Sequence, residues 1–363
     1  MSNEILGILS TFFPFIVIIW VANVAEGYRK TEQPDRAYRA MARISYLSLI
    51  GLYSLTFLGG LMAQAMDFVA EQQFDLLGDL WPANFGLNPL LEIDSWSLLG
   101  IGLWIPSLVG MLCLLPSFRR RVARIIPIDP QSPVHAIALS YTMLVIMNLM
   151  FYIGVGLDNL ATLLAESNGN ESVAGGGLLA LWGQQITMAI FAAIGVGWLT
   201  RRSFRATLDR LGLHMPTSSM LLLGIAIGIG MIPVVVSVFA LGDVVNFGAD
   251  PDVEALSEVL LGPLFNSLLG VMTLGFAAAL GEETLFRGAL QPRFGIPATA
   301  LIFALVHSNY GITISTVVVF ILGIVLGVVR DRYSTTTAMV VHATYNMTLG
   351  LMGYLSISFL ENM

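Results

Sequence analysis

Charge is what this 363-residue chain has least of: Asp, Glu, Lys and Arg together make up 11% of it, against about 25% in soluble domains. Hydrophobic residues reach 56% before its 36 glycines are counted. A chain of this length with so little polar surface cannot cover one or two soluble cores, which excludes a soluble enzyme. The basic side is the weaker one, 17 Lys and Arg against 24 Asp and Glu, so no basic face is offered to nucleic acid. The one cysteine, Cys113, excludes a disulfide framework, and its apolar run makes it a buried, inert thiol. There is no HExxH and no GxSxG, so neither a zincin helix nor a nucleophile elbow is present. No fixed-period repeat appears, and no low-complexity tract beyond residues 175–177.

What is present is long sequence without charge. An α-helix crosses a bilayer core with about 20 mostly apolar residues, and the runs 5–25, 44–66, 95–118, 131–157, 172–200, 211–242 and 259–281 each meet that length. The run 294–329 is too long for one crossing, and Ser308-Asn309-Tyr310-Gly311 near its middle reads as a turn between two shorter helices. The last run is 333–360. The expected fold is all-α, a polytopic transmembrane helical bundle of nine or ten segments, depending on whether the short helix before Tyr310 crosses fully.

All the basic residues fall into five groups, at 29–43, 119–124, 201–210, 287–293 and 330–332, while the loops 67–94, 158–171 and 243–258 contain acidic residues only. The positive-inside rule then gives one solution, with the Arg-rich loops in the cytoplasm and both termini outside. Glu4 precedes the first segment and the basic cluster follows it, the wrong order for a signal peptide, so this segment is expected to stay as an anchor. Two regions follow. Residues 1–200 hold five segments with His135 as almost the only ionisable group inside them, and carry no assigned function; residues 201–363 hold the chemistry. Gly224 with Gly228, and Gly323 with Gly327, have the spacing of close helix packing. His135 and His214 read as interface or capping residues, and the acidic loop 67–94, with Trp81 and Phe85, as an interfacial helix or a solvated connector.

Ionisable groups at membrane depth are costly and mark function by default. Three stretches concentrate them. Gly281-Glu282-Glu283-Thr284-Leu285-Phe286-Arg287 lies at what reads as the cytoplasmic end of the seventh segment. On a helix Glu283 and Arg287 pair at i,i+4, while Glu282 points about 100° away and is left as a candidate general base. His307 stands inside the apolar stretch 294–307, beside the Asn309-Tyr310-Gly311 turn, and His342 and Asn346 share one helix face at i,i+4. A carboxylate and a histidine converging on one water can deprotonate it for attack on a carbonyl, and a second His with an Asn amide can donate to the developing oxyanion. Two His and a carboxylate, here Glu282, His307 and His342, suit zinc equally well.

The three motifs together, Glu282-Glu283…Arg287, Phe303…His307 and His342…Asn346, resemble the CPBP family. That family comprises CAAX prenyl endopeptidases of the Ras-converting type and the bacteriocin-processing or immunity proteins also called Abi. The resemblance covers about residues 212–360. It implies a helical intramembrane peptidase with a conical cavity open to membrane and cytosol. Glu282 would be the catalytic carboxylate acting with His307 on water, His342 and Asn346 would line the oxyanion site, and Glu283 with Arg287 would order the motif. It also implies a glutamate-dependent mechanism with no cofactor, zinc remaining the alternative. The expected partners are a peptide or protein substrate reached from membrane or cytosol and the lipid bilayer itself. Short Arg-rich loops and no organelle signal point to a bacterial inner membrane, where a substrate other than a prenylated CAAX protein is expected. A non-catalytic scaffold or bacteriocin self-immunity protein is the competing reading, and a transporter is a weaker one because no repeat is visible.

Overall fold

A computed structural model describes residues 3–29, 36–72, 93–168, 173–248 and 250–361, and among these it is all helix apart from turns and one isolated β-bridge. In chain order the helices are α1 (Asn3–Arg29), α2 (Arg36–Gln72), α3 (Trp96–Cys113), α4 (Pro116–Val122), α5 (Pro133–Val155), α6 (Leu157–Asn168) and α7 (Val173–Gly195). There follow α8 (Phe204–Leu211), α9 (Ser218–Val244), α10 (Pro251–Phe265), α11 (Leu268–Glu282), a π-helix (Glu283–Leu290), α12 (Gln291–Val306), a 3-10 turn (Ser308–Tyr310), α13 (Ile314–Arg332) and α14 (Thr335–Glu361). Among the described residues eight helical stretches are long and apolar enough to cross a membrane, with Leu268–Val306 counted as one. The protein is an integral membrane protein with a polytopic helical bundle.

The sequence expectation of nine or ten segments differs in three places, one of which is the last run, 333–360: it forms helix α14 but is not among those eight stretches. The run 259–281 is two helices, not one: Pro263 lies in the last turn of α10, the helix stops at Asn266, and the Ser267 hydroxyl accepts the Gly270 N–H to start α11. The run that begins at 294 does contain the expected turn at Ser308–Tyr310. Its first arm, however, grows out of a helix that never ended at residue 281. Helical geometry continues from Leu268 through the π-helix to Phe294, and Gly295, at φ 76°, then reverses the chain. The reversal is visible in the rings of Phe286 and Phe303, whose centroids lie 5.2 Å apart, where an unbroken helix would hold them about 25 Å apart. The arm after Gly295 spans only about 16 Å, too short to cross alone.

The small-residue pairs pack as their spacing indicated. Gly224 and Gly228 of α9 meet Val340 and Thr344 of α14, and Gly323 and Gly327 of α13 meet Ala300 and Ile296 of α12. Cys113 is buried and unpaired. His214 sits at the surface with its N–H on the Thr336 hydroxyl, and His135 Nδ1 accepts the Asp129 N–H. The acidic stretch 158–171 is mostly helix α6, which packs on α10. Of loop 67–94, the part that carries Trp81 and Phe85 lies outside the described residues.

Candidate active site

The first motif straddles the junction of α11 and the π-helix. A π-helix closes i→i+5 hydrogen bonds and winds more loosely than an α-helix, a geometry frequent at functional sites. Here the Thr284 hydroxyl donates to the Leu280 carbonyl at 2.6 Å. The junction corrects the expected depth of the motif. Glu282 lies 11 residues before Arg293 in continuous helix, roughly 15 Å inside the Arg-rich end rather than at its mouth. Arg287 is not a loop charge either: it is fully buried, with its guanidinium 4.3 Å over the Phe303 ring and its Nε 3.3 Å from Glu283 Oε2. This ion contact lacks hydrogen-bond alignment, and none of the three guanidinium nitrogens has a hydrogen-bond partner among the described residues.

The two adjacent carboxylates do not face apart, as an ideal α-helix would have them. Both reach His342. Glu283 Oε1 is 2.9 Å from His342 Nδ1, and Glu282 Oε2 is 4.0 Å from His342 Nε2, so the imidazole lies between them. His307 closes the group from the other side, with its Nε2 3.8 Å from the same Glu282 oxygen. The tautomer of His307 follows from its second nitrogen: Nδ1 is 2.7 Å from the Phe303 carbonyl, which can only accept. In the neutral ring Nε2 is therefore unprotonated and presents a lone pair to the gap in front of Glu282. His342 Nδ1 likewise donates to the Glu283 carboxylate, and its Nε2 carries a proton only in the imidazolium form. Asn346 stands one turn beyond His342 on α14, half-buried, and has no hydrogen-bond partner among the described residues.

Phe303 is the hub that fixes these directions. Its ring meets His307 at 4.8 Å, His342 at 6.0 Å and Phe286 at 5.2 Å, all edge to face, beneath the Arg287 guanidinium. Tyr310 stacks on the outer face of His307 at 6.0 Å. Glu282 Oε2 accepts no hydrogen bond from a described residue, yet its side chain is 12% exposed and that of His307 24%, so the group is sheltered without being sealed.

A residue outside the motifs also belongs here. Gln185 of α7 is buried and donates from Nε2 to Glu282 Oε1 at 3.4 Å. A Cβ on Gly281 would overlap the Gln185 side chain and backbone, so glycine at 281 lets α7 come this close. The sequence expectation rests on ionisable groups and their helix neighbour Asn346 and does not include Gln184-Gln185, although two amides inside the otherwise apolar run 172–200 are a readable signal. A second contact from the first half is the Asn148 amide, which donates to the Ser308 hydroxyl next to His307 at 2.5 Å.

Glu282, Glu283, Arg287, His307 and His342 are thus brought into one cluster. Residues 264–348 match the model of the type II CAAX prenyl endopeptidase Rce1-like family. This region is similar to CAAX proteases of that type. The matched stretch contains every motif residue and under a quarter of the chain; no curated protein and no solved structure matches. Among the described residues no three His, Cys, Asp or Glu side chains are placed to hold a metal ion.

Proposed function

We propose that this protein is an intramembrane endopeptidase that hydrolyses a peptide bond of a membrane-associated peptide or protein. The observation that carries the reading is the convergence of Glu282 Oε2 with the Nε2 atoms of His307 and His342, at 3.8 and 4.0 Å, around an oxygen with no other partner. These separations are too long for direct hydrogen bonds and short enough for one water to touch more than one of the three atoms.

In the proposed step Glu282 and His307 hold a water and take its proton as the oxygen attacks the scissile carbonyl carbon. The electron pair of the C=O bond moves to oxygen, where the Asn346 amide and the Nε2–H of imidazolium His342 donate. Collapse of this adduct breaks the C–N bond, and the leaving nitrogen receives the proton held by Glu282. Glu283 orients His342 through Nδ1, and Arg287, held on Phe303, offsets the Glu283 charge. Gln185 fixes the second oxygen of Glu282, leaving Oε2 for water. No metal enters this step. We place the protein in a bacterial inner membrane with the Arg-rich loops in the cytoplasm and both termini outside.

Cleavage of a quenched fluorogenic peptide library by the purified protein tests this. Glu282→Gln is expected to lower the rate by on the order of 10²- to 10⁴-fold, the range of a lost general base, and a strong chelator to leave it unchanged. Loss on chelation moves the chemistry to zinc held by Glu282, His307 and His342. If the wild type cleaves nothing while Glu282→Gln keeps the cellular phenotype, the protein acts as a scaffold or immunity protein.

A further inference from the structure

Between the two halves of the molecule lies a cavity of about 450 Å³ that contains none of the motif residues' carboxylate or imidazole groups. Its walls are Phe12, Phe15, Tyr141 and Phe191 from the first half, and Phe286 and Ile302 from the second. Along α1 it reaches from Arg29 to Phe12, roughly 25 Å at 1.5 Å per residue, most of the depth of a bilayer core. The volume falls within the range of roughly 300 to 1,000 Å³ typical of ligand pockets.

The Arg-rich end of this slot carries an excess of positive charge. Arg29 is paired there with Glu26 and Asp129. Arg201, Arg202, Arg210 and Arg293 also line the cavity, and none of them forms a salt bridge with a described residue. Their contacts are to neutral acceptors: Arg201 to the Asn23 side-chain oxygen at 2.9 Å, Arg202 to the Val196 carbonyl, and Arg210 to the Gly288 carbonyl at 3.0 Å. Burial first, then the neighbouring guanidinium of Arg202, pushes Arg201 down to about 10, and burial followed by Arg293 and Arg202 does the same to Arg210. Glu26 and Asp129 are the carboxylates at this end and Glu26 also acts on Arg201, so five guanidiniums outnumber two carboxylates. That cationic excess, at one end of a long aromatic and aliphatic slot, is complementary to a phosphate carrying a hydrocarbon chain.

We propose that this cavity is a binding site for an anionic phospholipid, its phosphate among Arg201, Arg202, Arg210 and Arg293 and an acyl chain along Phe15, Tyr141, Phe191 and Phe286. The ligand would bridge residues 1–200 and the motif-bearing half, and would lie one ring from the cluster, since Phe286 lines the slot and meets Phe303 edge to face. The inference does not depend on the peptidase reading, and Glu282→Gln protein is expected to bind the lipid as the wild type does.

The test uses delipidated full-length protein in detergent, titrated with dioleoylphosphatidylglycerol, with dioleoylphosphatidylcholine, and with glycerol 3-phosphate, while thermal unfolding is followed. Phosphatidylglycerol is expected to raise Tm by several degrees more than phosphatidylcholine, with no shift from glycerol phosphate. Equal shifts from the two lipids would overturn the role of the arginines. An equal shift from glycerol phosphate would overturn the chain slot and leave a bare phosphate site. The double variant Arg202→Gln, Arg293→Gln is expected to weaken phosphatidylglycerol about tenfold or more, since each cation near an anionic lipid contributes about 1 kcal/mol. Ala138→Phe, which fills the slot without changing charge, should abolish the shift. Should either variant fail to fold, the three-ligand comparison on wild-type protein still decides.

Discussion

Both halves of the molecule bury polar side chains among membrane helices, but they treat them differently. In residues 1–200 the buried groups are nearly all satisfied. Asn23 donates to the Ile19, Ile194 and Gly195 carbonyls and accepts from Arg201. Arg119 donates to the Pro130, Cys113 and Leu114 carbonyls, and Tyr53 and Ser140 donate to the Ser140 and Gly110 carbonyls. In the motif-bearing half, Glu282 Oε2, Glu283 Oε2, every guanidinium nitrogen of Arg287, Gln291 Oε1 and Thr299 Oγ1 lack a hydrogen bond among the described residues; in residues 1–200 Arg29 Nε and Oε1 of Gln185, which leans on Glu282, do so. Satisfied polar networks rigidify a bundle, whereas a concentrated set of unsatisfied atoms is costly unless something comes to meet it. The contrast separates scaffold from site more sharply than burial or charge does, since Arg119 and Arg287 are equally buried.

The largest effects should come from substitutions that set the halves against each other. Glu282→Gln should abolish most cleavage with Tm unchanged or raised, because it removes a largely buried charge held by one long amide hydrogen bond and by no ion pair closer than 3.8 Å. Asn23→Leu should do the reverse: several orphaned carbonyl and guanidinium contacts cost about 1–3 kcal/mol of stability, with the specific activity of the folded fraction kept. If Asn23→Leu stops cleavage in folded protein, the division between scaffold and site is wrong. Next in size is the buried pair. Glu283→Gln leaves Arg287 an uncompensated charge and is expected to cost about 3–5 kcal/mol. The double variant Glu283→Gln, Arg287→Met should cost less than the sum of the singles, measurable by thermal or denaturant unfolding of the four proteins in one detergent. Strict additivity would mean the 3.3 Å contact carries no coupling.

Much of this was legible in the sequence, and the failures have physical reasons. Charge-free runs located the membrane helices because unpaired charge is expensive in lipid. The same rule misplaced the motif. It ended a segment at residue 281, since Glu282, Glu283 and Arg287 interrupt the run, whereas mutual pairing and the Phe303 ring let the helix carry these charges inward to Phe294. A shared site for Glu282, His307 and His342 could be expected from the concentration of polar motifs in one stretch; that both glutamates address one imidazole could not, because it depends on side-chain directions and helix packing that spacing does not give. The break at Asn266 and Ser267 was visible in retrospect as a polar pair after Pro263.

Gln185 tests whether the first half takes part in the chemistry at all. Its amide is the only described hydrogen-bond donor to Glu282, and hydrogen bonds to charged groups contribute about 1.5–3 kcal/mol. Gln185→Leu is therefore expected to lower kcat about tenfold or more, with KM nearly unchanged and the pH profile of cleavage displaced. Gln185→Glu, which replaces the donor by an acceptor beside a carboxylate, should be worse. A fall in Tm with kcat and the pH profile intact would make Gln185 a packing residue, and would return the first half to pure scaffold.

The smallest effect concerns the polar cluster that closes the first half at its Arg-rich end. Partial burial raises the Asp129 carboxyl, but the Gln131 N–H and the Arg29 guanidinium 2.6 Å away more than offset this, so the group is held below its ordinary value. A carboxyl depressed in the folded state adds stability that is fully present above its unfolded value, near pH 4, and is lost as the pH falls through the folded value. Asp129 is 39% exposed, so solvent screening limits the gain to about 0–1 kcal/mol. Asp129→Asn should accordingly lower Tm slightly at pH 7 and leave it equal to wild type once both are measured well below pH 4. Because Asp129 is remote from Glu282 in the satisfied network, the rate of cleavage at neutral pH should not change. A rate change there would mean that the closed and the open polar clusters communicate across the cavity between them.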